Sequence, residues 1–224
     1  MEVSLDGVNI LDAINTCVSS VSSAYSMFLS SIVGEFRKSI SSNITYATVR
    51  EFDRACLTIQ NQSLKVIDHV VNDNLEQLSS VLSQYKIKRF SKVKKDITRA
   101  LNLAFKTQMT LDISAARSDV YRYTLAVLNQ TKAGKTHTSA IVIANKFVKF
   151  NFIDRSGKIW NSDRYIATAT RGELVRGVYF SFVLRAEKLG FQNLKLSNDE
   201  VVSILDIDKY IHPNSKLMPI QLLK

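Results

Sequence analysis

Proline is almost missing from this chain: both prolines, Pro213 and Pro219, fall in the last twelve of its 224 residues. Glycine is nearly as scarce, and between Gly7 and Gly134 the only one is Gly34, so nothing over that range is built to break a helix. Cysteine is limited to Cys17 and Cys56, each on an apolar helical stripe. They read as two buried hydrophobes in a reducing compartment, not as a disulfide or metal ligands. The three histidines, His69, His137 and His212, are isolated from one another and from cysteine, which leaves no metal spacing. Neither a G-x-S-x-G elbow nor a Cys/His pairing in a recognisable local context occurs. Ala133-Gly134-Lys135-Thr136 imitates the end of a phosphate-binding loop, but Asn129 stands where the first glycine belongs and a helical stretch precedes it. It reads as a helix-to-strand connection. These absences point to a protein that is not an enzyme and needs no cofactor or metal. The start carries Glu2 and Asp6 with no basic region ahead of the apolar one, so no signal peptide is expected.

What the chain does have is helical period. From Ala13 to Gly34 it carries no charge, long enough to approach the ~20 residues of a bilayer span. Yet seven serines interrupt that run, and Leu11, Ile14, Val18, Val21, Tyr25, Phe28, Ile32 and Phe36 keep a three-four spacing. That is the apolar seam of an amphipathic packing helix, with no membrane involved. Val49, Phe52, Cys56, Ile59, Ser63, Val66 and Val70 repeat the spacing, continued by Asn74, Leu78, Val81 and Tyr85. A helix over 47–85 would be ~57 Å long, which calls for elongated antiparallel partners. A third helix is expected over 92–129, with Asp112-Ile113-Ser114 a place where a cap could interrupt it.

After Gly134 the pattern changes. Ile141-Val142-Ile143 and the alternating Phe147 to Ile153 predict strand, Ser156-Gly157 a turn, and Trp160 a core position on the return strand. Ser162 can cap a helix whose inner face holds Tyr165, Ala169, Val175, Val178, Tyr179, Phe182, Ala186 and Leu189, with Gly190 as its left-handed stop. The expected fold class is α+β, mostly helical. Long antiparallel helices occupy 1–133, a β-hairpin and long helix 134–197, and a C-terminal extension 198–224.

Asp154-x-x-Gly157-x-x-Trp160, then a helix with Tyr165, Arg171 and Ala186 ending at Gly190, then Lys195-Leu196-Ser197, form an ordered set. Over residues 146–197 the chain resembles the minor capsid and head-morphogenesis proteins of tailed bacteriophages. Two features depart from that pattern: Arg171-Gly172 stands where the family has Arg-Thr, and 198–216 replaces a segment containing Cys and His. The resemblance implies a structural virion component, a minor capsid, head-to-tail connector or neck protein. Such a protein assembles near the portal vertex in the host cytoplasm as a homo-oligomer docked on portal, capsid or tail proteins. It also marks Arg171 for a specific polar role, the plain alternative being a surface pairing with Glu173 or Asp163.

Charge is unevenly spread. Residues 1–85 hold 5 basic and 9 acidic side chains, residues 86–195 hold 22 and 7, and the last 29 hold 3 and 4. The densest run, 86–99, sets Lys86, Lys88, Arg89, Lys92, Lys94, Lys95 and Arg99 against one acid. These cations would ring more than one side of a helix, a general electrostatic surface for packaged DNA or an acidic protein. No helix-turn-helix, zinc-finger or RNA-recognition pattern accompanies them. The alternative function is therefore non-specific nucleic-acid binding through 86–99.

Overall fold

The computed structural model describes residues 8–41, 43–87, 90–148 and 162–224. Three long helices lead: α1 (Val8–Ser41), α2 (Thr48–Gln84) and α3 (Phe90–Lys132). After them come α4 (His137–Phe147), α5 (Ser162–Leu189), and three short strands, β1 (Asn193–Leu196), β2 (Val201–Ser203) and β3 (Pro219–Leu223). The protein is mostly helical α+β, as its periodicity predicts. Two compact units are formed, one from 1–24, 66–105 and 164–224, the other from 25–65 and 106–163.

The apolar seam of α1 is buried as expected: Ile14, Val21, Tyr25, Phe28, Ile32 and Phe36 lie in the cores, joined by Ile10 and Cys17. Among the described residues α1 alone is long and apolar enough to cross a membrane. In α2 the expected phase holds through Phe52 and Cys56 and then slips. Gln60, Ile67 and Val71 are buried where Ile59, Val66 and Val70 were expected, with Val66 exposed, and the expected Asn74, Leu78 and Tyr85 are buried again. Gln60 is a polar residue at a core position, and its Nε2 donates to Thr110 Oγ1 at 3.1 Å.

Gln60 belongs to a set of polar rungs that ties α2 to α3. In the second unit Gln60 pairs with Thr110, and Asp53 with Arg117 at 3.0 Å. Seven residues back along α2 match seven forward along α3. In the first unit Asn102 Nδ2 donates to Asp68 Oδ1 at 2.8 Å and Lys94 pairs with Glu76, a step of eight on each helix. Within each unit the two rungs define an antiparallel register. Exposed ion pairs are worth ~0–1 kcal/mol, so the apolar seams supply the stability and the rungs select the register.

Two of the helix stops use glycine in the left-handed region and one does not. At α5, Gly190 (φ 72°) closes the helix, with Phe191 N–H to Ala186 C=O and Gly190 N–H to Glu187 C=O. Gly134 (φ 81°) does the same for α3. At α2 the position is Lys86, φ 61°, with Ile87 N–H bonded to Leu82 C=O. This turn uses no glycine, and the end of α2 at Gln84 follows from the apolar spacing that stops at Tyr85.

Three local expectations are corrected. Asp112 does not interrupt α3, which runs unbroken for 43 residues. Ile141-Val142-Ile143 is not strand; it lies in α4, capped by Thr136, whose Oγ1 accepts from Ser139 N–H at 3.3 Å. Ala140 and Ala144, one helical turn apart, pack on Ile44, Tyr123 and Val127, and that close approach overrides the β preference of the branched residues between them. Residues 133–136 accordingly connect helix to helix. The remainder of the expected hairpin, 149–161, lies outside the described residues. Strands appear instead behind α5, in the antiparallel order β2-β1-β3, with Leu194 opposite both Val202 and Leu222.

In the first unit α5 packs on the start of α3 at Gly177, where an added Cβ would stand 2.3 Å from Ile97 Cδ1 and 3.3 Å from Val93 Cγ1. Gly177→Ala should cost ~1–3 kcal/mol by overpacking. Ile97→Val, which removes the offending methyl, should recover part of that loss in a double-mutant cycle of urea unfolding. Lys86→Gly should raise stability by ~0.5–1 kcal/mol at unchanged m, because it relieves a left-handed side chain.

Candidate functional site

The cations of the basic stretch do not act as one set. The buried face of this part of α3 is Phe90, Val93, Ile97 and Leu101. Helical spacing then leaves Lys92, Lys95 and Arg99 exposed. Lys94 falls on the α2 side, half-buried against Glu76, and so belongs to the rungs. Lys86 is exposed in the turn, while Lys88 and Arg89 lie outside the described residues. The three exposed α3 cations share one outward face, with Lys94 on another side of the helix.

Of the motif residues, Asp154, Gly157 and Trp160 lie outside the described residues. Gly190 is the left-handed stop already described. Tyr165 is 52 % exposed and not on the inner face; Ile166 and Thr170 take the positions expected for Tyr165 and Ala169, and Leu189 is also exposed. The Arg171 guanidinium reaches other elements of the first unit. It donates to Asn15 Oδ1 on α1 and, at 3.5 Å, to the Ser215 carbonyl, while Glu173 pairs with Arg176. Arg171 thus clamps α1, α5 and the segment before β3 within the first unit. Gly172 beside it admits Pro213, whose Cγ would lie 3.3 Å from an added Cβ. Here the arginine-glycine pair, the departure from the family pattern, has a packing reason.

Sequence reasoning missed a buried polar cluster in the second unit. Asp112, on α3, receives three hydrogen bonds: Tyr25 Oη at 2.7 Å on Oδ2, and Ser162 Oγ at 2.7 Å and Gln108 Nε2 at 3.0 Å on Oδ1. All three donors are neutral. The Asp-Ile-Ser triplet looked like a cap because an aspartate inside a helix usually serves the local backbone; here it serves side chains 87 and 50 residues away in sequence. The first residue of α5, expected to cap its own helix, spends its hydroxyl on Asp112. Burial first, and then the negative Asp112 and its hydrogen bond, hold the Tyr25 phenol protonated far above its ordinary range. These hydrogen bonds tie α1, α3 and the start of α5 together in the second unit.

The histidines also serve structure: His137 Nε2 accepts from Ile44 N–H at 3.4 Å and His212 Nδ1 from Asn214 N–H at 3.0 Å. Among the described residues no group of three or more His, Cys, Asp or Glu is placed to hold a metal. An open cavity of about 310 Å³ is lined by Val49, Ser114, Arg117, Ser118 and Tyr121, and its one cation, Arg117, is already paired with Asp53. No protein-family model, curated protein or solved structure matches the chain.

Asp112→Ala should destabilise by ~2–4 kcal/mol, since it leaves buried Tyr25 and Ser162 hydroxyls without their acceptor; Tyr25→Phe should cost less, ~1–2 kcal/mol, in the same thermal or urea unfolding. Alkali supplies a second check. Burial pushes the Cys17 and Cys56 thiols from 9.0 up to about 12. Their raised values mean that the unfolded chain releases protons the folded one retains. The associated stability is whole below pH ~9 and is lost as pH rises toward 12, at up to ~1.4 kcal/mol per pH unit for each thiol. Cys17→Ala with Cys56→Ala should flatten the pH 9–10 part of that decline in urea midpoints.

Proposed function

We propose that this chain is a structural component of a tailed-bacteriophage virion, a minor capsid, head-to-tail connector or neck protein that assembles near the portal vertex. The observation that carries this reading is an order of parts. Helix α5 ends at left-handed Gly190, strand β1 follows directly, and Ser197 stands behind it, the sequence of elements that the resembling family has after its D-x-x-G-x-x-W motif. Ser197 is integral to that arrangement: its N–H donates to Met218 C=O at 2.9 Å and its Oγ accepts from Met218 N–H at 3.2 Å.

Two further features support a structural role over a catalytic one. The buried polar cluster around Asp112 ties helices together. The helices also leave large apolar side chains exposed, among them Met27, Leu57, Leu111 and Tyr121, as surface for neighbouring subunits. Portal, capsid or tail proteins are the partners of this reading.

Its test is the absolute mass of the purified full chain, by light scattering after size exclusion without nucleic acid at low and high salt. A discrete oligomer of several copies that persists at high salt is expected. A monomer at every salt concentration would count against self-assembly and favour the alternative, a non-specific nucleic-acid-binding protein acting outside a particle. Leu57→Glu should lower the oligomer mass without shifting the thermal midpoint of the subunit by more than ~0.5 kcal/mol equivalent, since the side chain is exposed.

A further inference from the structure

We propose that the outward face of α3 in the first unit, Lys92, Lys95 and Arg99, is a docking surface for the phosphate backbone of duplex DNA. The three side chains stand at i, i+3 and i+7 on one continuous helix. They span ~10 Å of its axis at 1.5 Å per residue, over which a duplex presents several phosphates, one per ~1.7 Å of its own axis. All three are exposed, and among the described residues no ion pair engages any of them. Asp96 is the one acid exposed on the same turns.

Further cations lie toward the same end of the unit. Gly177 of α5 packs on Val93 and Ile97, and Phe182, five residues on, stacks edgewise on Tyr85 at 6.2 Å between centroids. Those contacts run α5 opposite to α3, so the last turn of α5 lies at the end of the unit where α3 begins. That turn bears exposed Lys188, beside the acid Glu187, and the α2–α3 turn at the same end bears exposed Lys86. Cations from three elements therefore gather at one end.

The chemistry of the face chooses among polyanions. The buried centre of a protein interface is depleted of charge and enriched in aromatic side chains, whereas this face is charged and, among the described residues, no large apolar side chain is exposed on α3 before Leu103. Phosphate contacts need only positive charge and reach, and they carry no base specificity. A helix fixed by a buried seam and by the Lys94–Glu76 rung holds its cations in place but offers no shaped site for a base edge. This assignment does not depend on the virion reading; it holds for a particle protein or a free one.

The experiment uses the full chain and a fluorescent random-sequence duplex of about 30 base pairs, with anisotropy titrations from about 50 to 200 mM salt. Wild type should bind at the low end with a steep negative slope of log K against log salt. Lys92→Glu/Lys95→Glu/Arg99→Glu should weaken low-salt binding at least ~10-fold and reduce the slope by about 2–3. A control with the same change in net charge elsewhere, Lys65→Glu/Lys135→Glu/Lys216→Glu, should stay within ~3-fold of wild type. Circular dichroism and the neutral set Lys92→Ala/Lys95→Ala/Arg99→Ala separate lost binding from lost fold, and the neutral set should show the same ranking with a smaller effect. Equal loss in the control would reduce the effect to net charge and overturn the surface. Absence of low-salt binding by wild type would overturn it too. Polyglutamate binding as tightly as DNA would move the partner to an acidic protein.

Discussion

The antiparallel register of α2 against α3 is the constraint on which the remaining structure depends. Two helices of 37 and 43 residues, ~55 and ~65 Å long, bury apolar stripes that a one-turn slip would still partly satisfy. Apolar contact is non-directional and cannot choose among such slips. Hydrogen bonds and ion pairs can, because each is lost if its partner moves by one turn. The rungs Asp53–Arg117, Gln60–Thr110, Asp68–Asn102 and Glu76–Lys94 therefore assign each apolar position its neighbour. From that assignment follow the slot for Gly177 beside Ile97 and the outward direction of Lys92, Lys95 and Arg99.

A second constraint is the carboxylate of Asp112. A buried anion is tolerated when hydrogen bonds replace its water, and here Tyr25 of α1, Ser162 of α5 and Gln108 of its own helix do so. Two of the three donors, Tyr25 and Ser162, come from sequence-distant elements, so the cluster specifies how those chain segments meet within the second unit. A hydrophobic replacement of similar volume would remove that information even where it preserved stability.

Most of the helical half was legible because its signal is periodic and repeated. The limits of α2 and α3 follow from the spacing of Phe52, Cys56, Leu78 and Tyr85 and of their counterparts in α3. The stop at Gly190 was legible because only one residue type is at ease there. Features that were not legible share a cause: each depends on a partner remote in sequence. Gln60 hid the phase of α2, because a polar side chain at a core position makes sense only once Thr110 faces it. Ile141 to Ile143 read as strand because their own preference is β, and it is Tyr123 and Val127 beneath Ala140 and Ala144 that decide for helix. Asp112 gave no site signal, since one carboxylate becomes a hub only when the tyrosine, serine and glutamine arrive. The basic stretch was legible as composition, but the division between Lys94 on the seam and Lys92, Lys95 and Arg99 outside it required the phase of the buried face.

The register has a consequence for how such a chain can change length. A single residue inserted into α2 rotates everything beyond it by about 100° and carries the later rungs off their partners, whereas a surface loop absorbs the same insertion readily. Length variation in this architecture is therefore confined to matched additions of about two helical turns, made in α2 and α3 together, or to the connections between helices. Descendants of one ancestor would keep equal steps between successive rungs on the two helices while exchanging nearly every residue on the outer faces, so that kinship would survive as spacing after it had faded as identity.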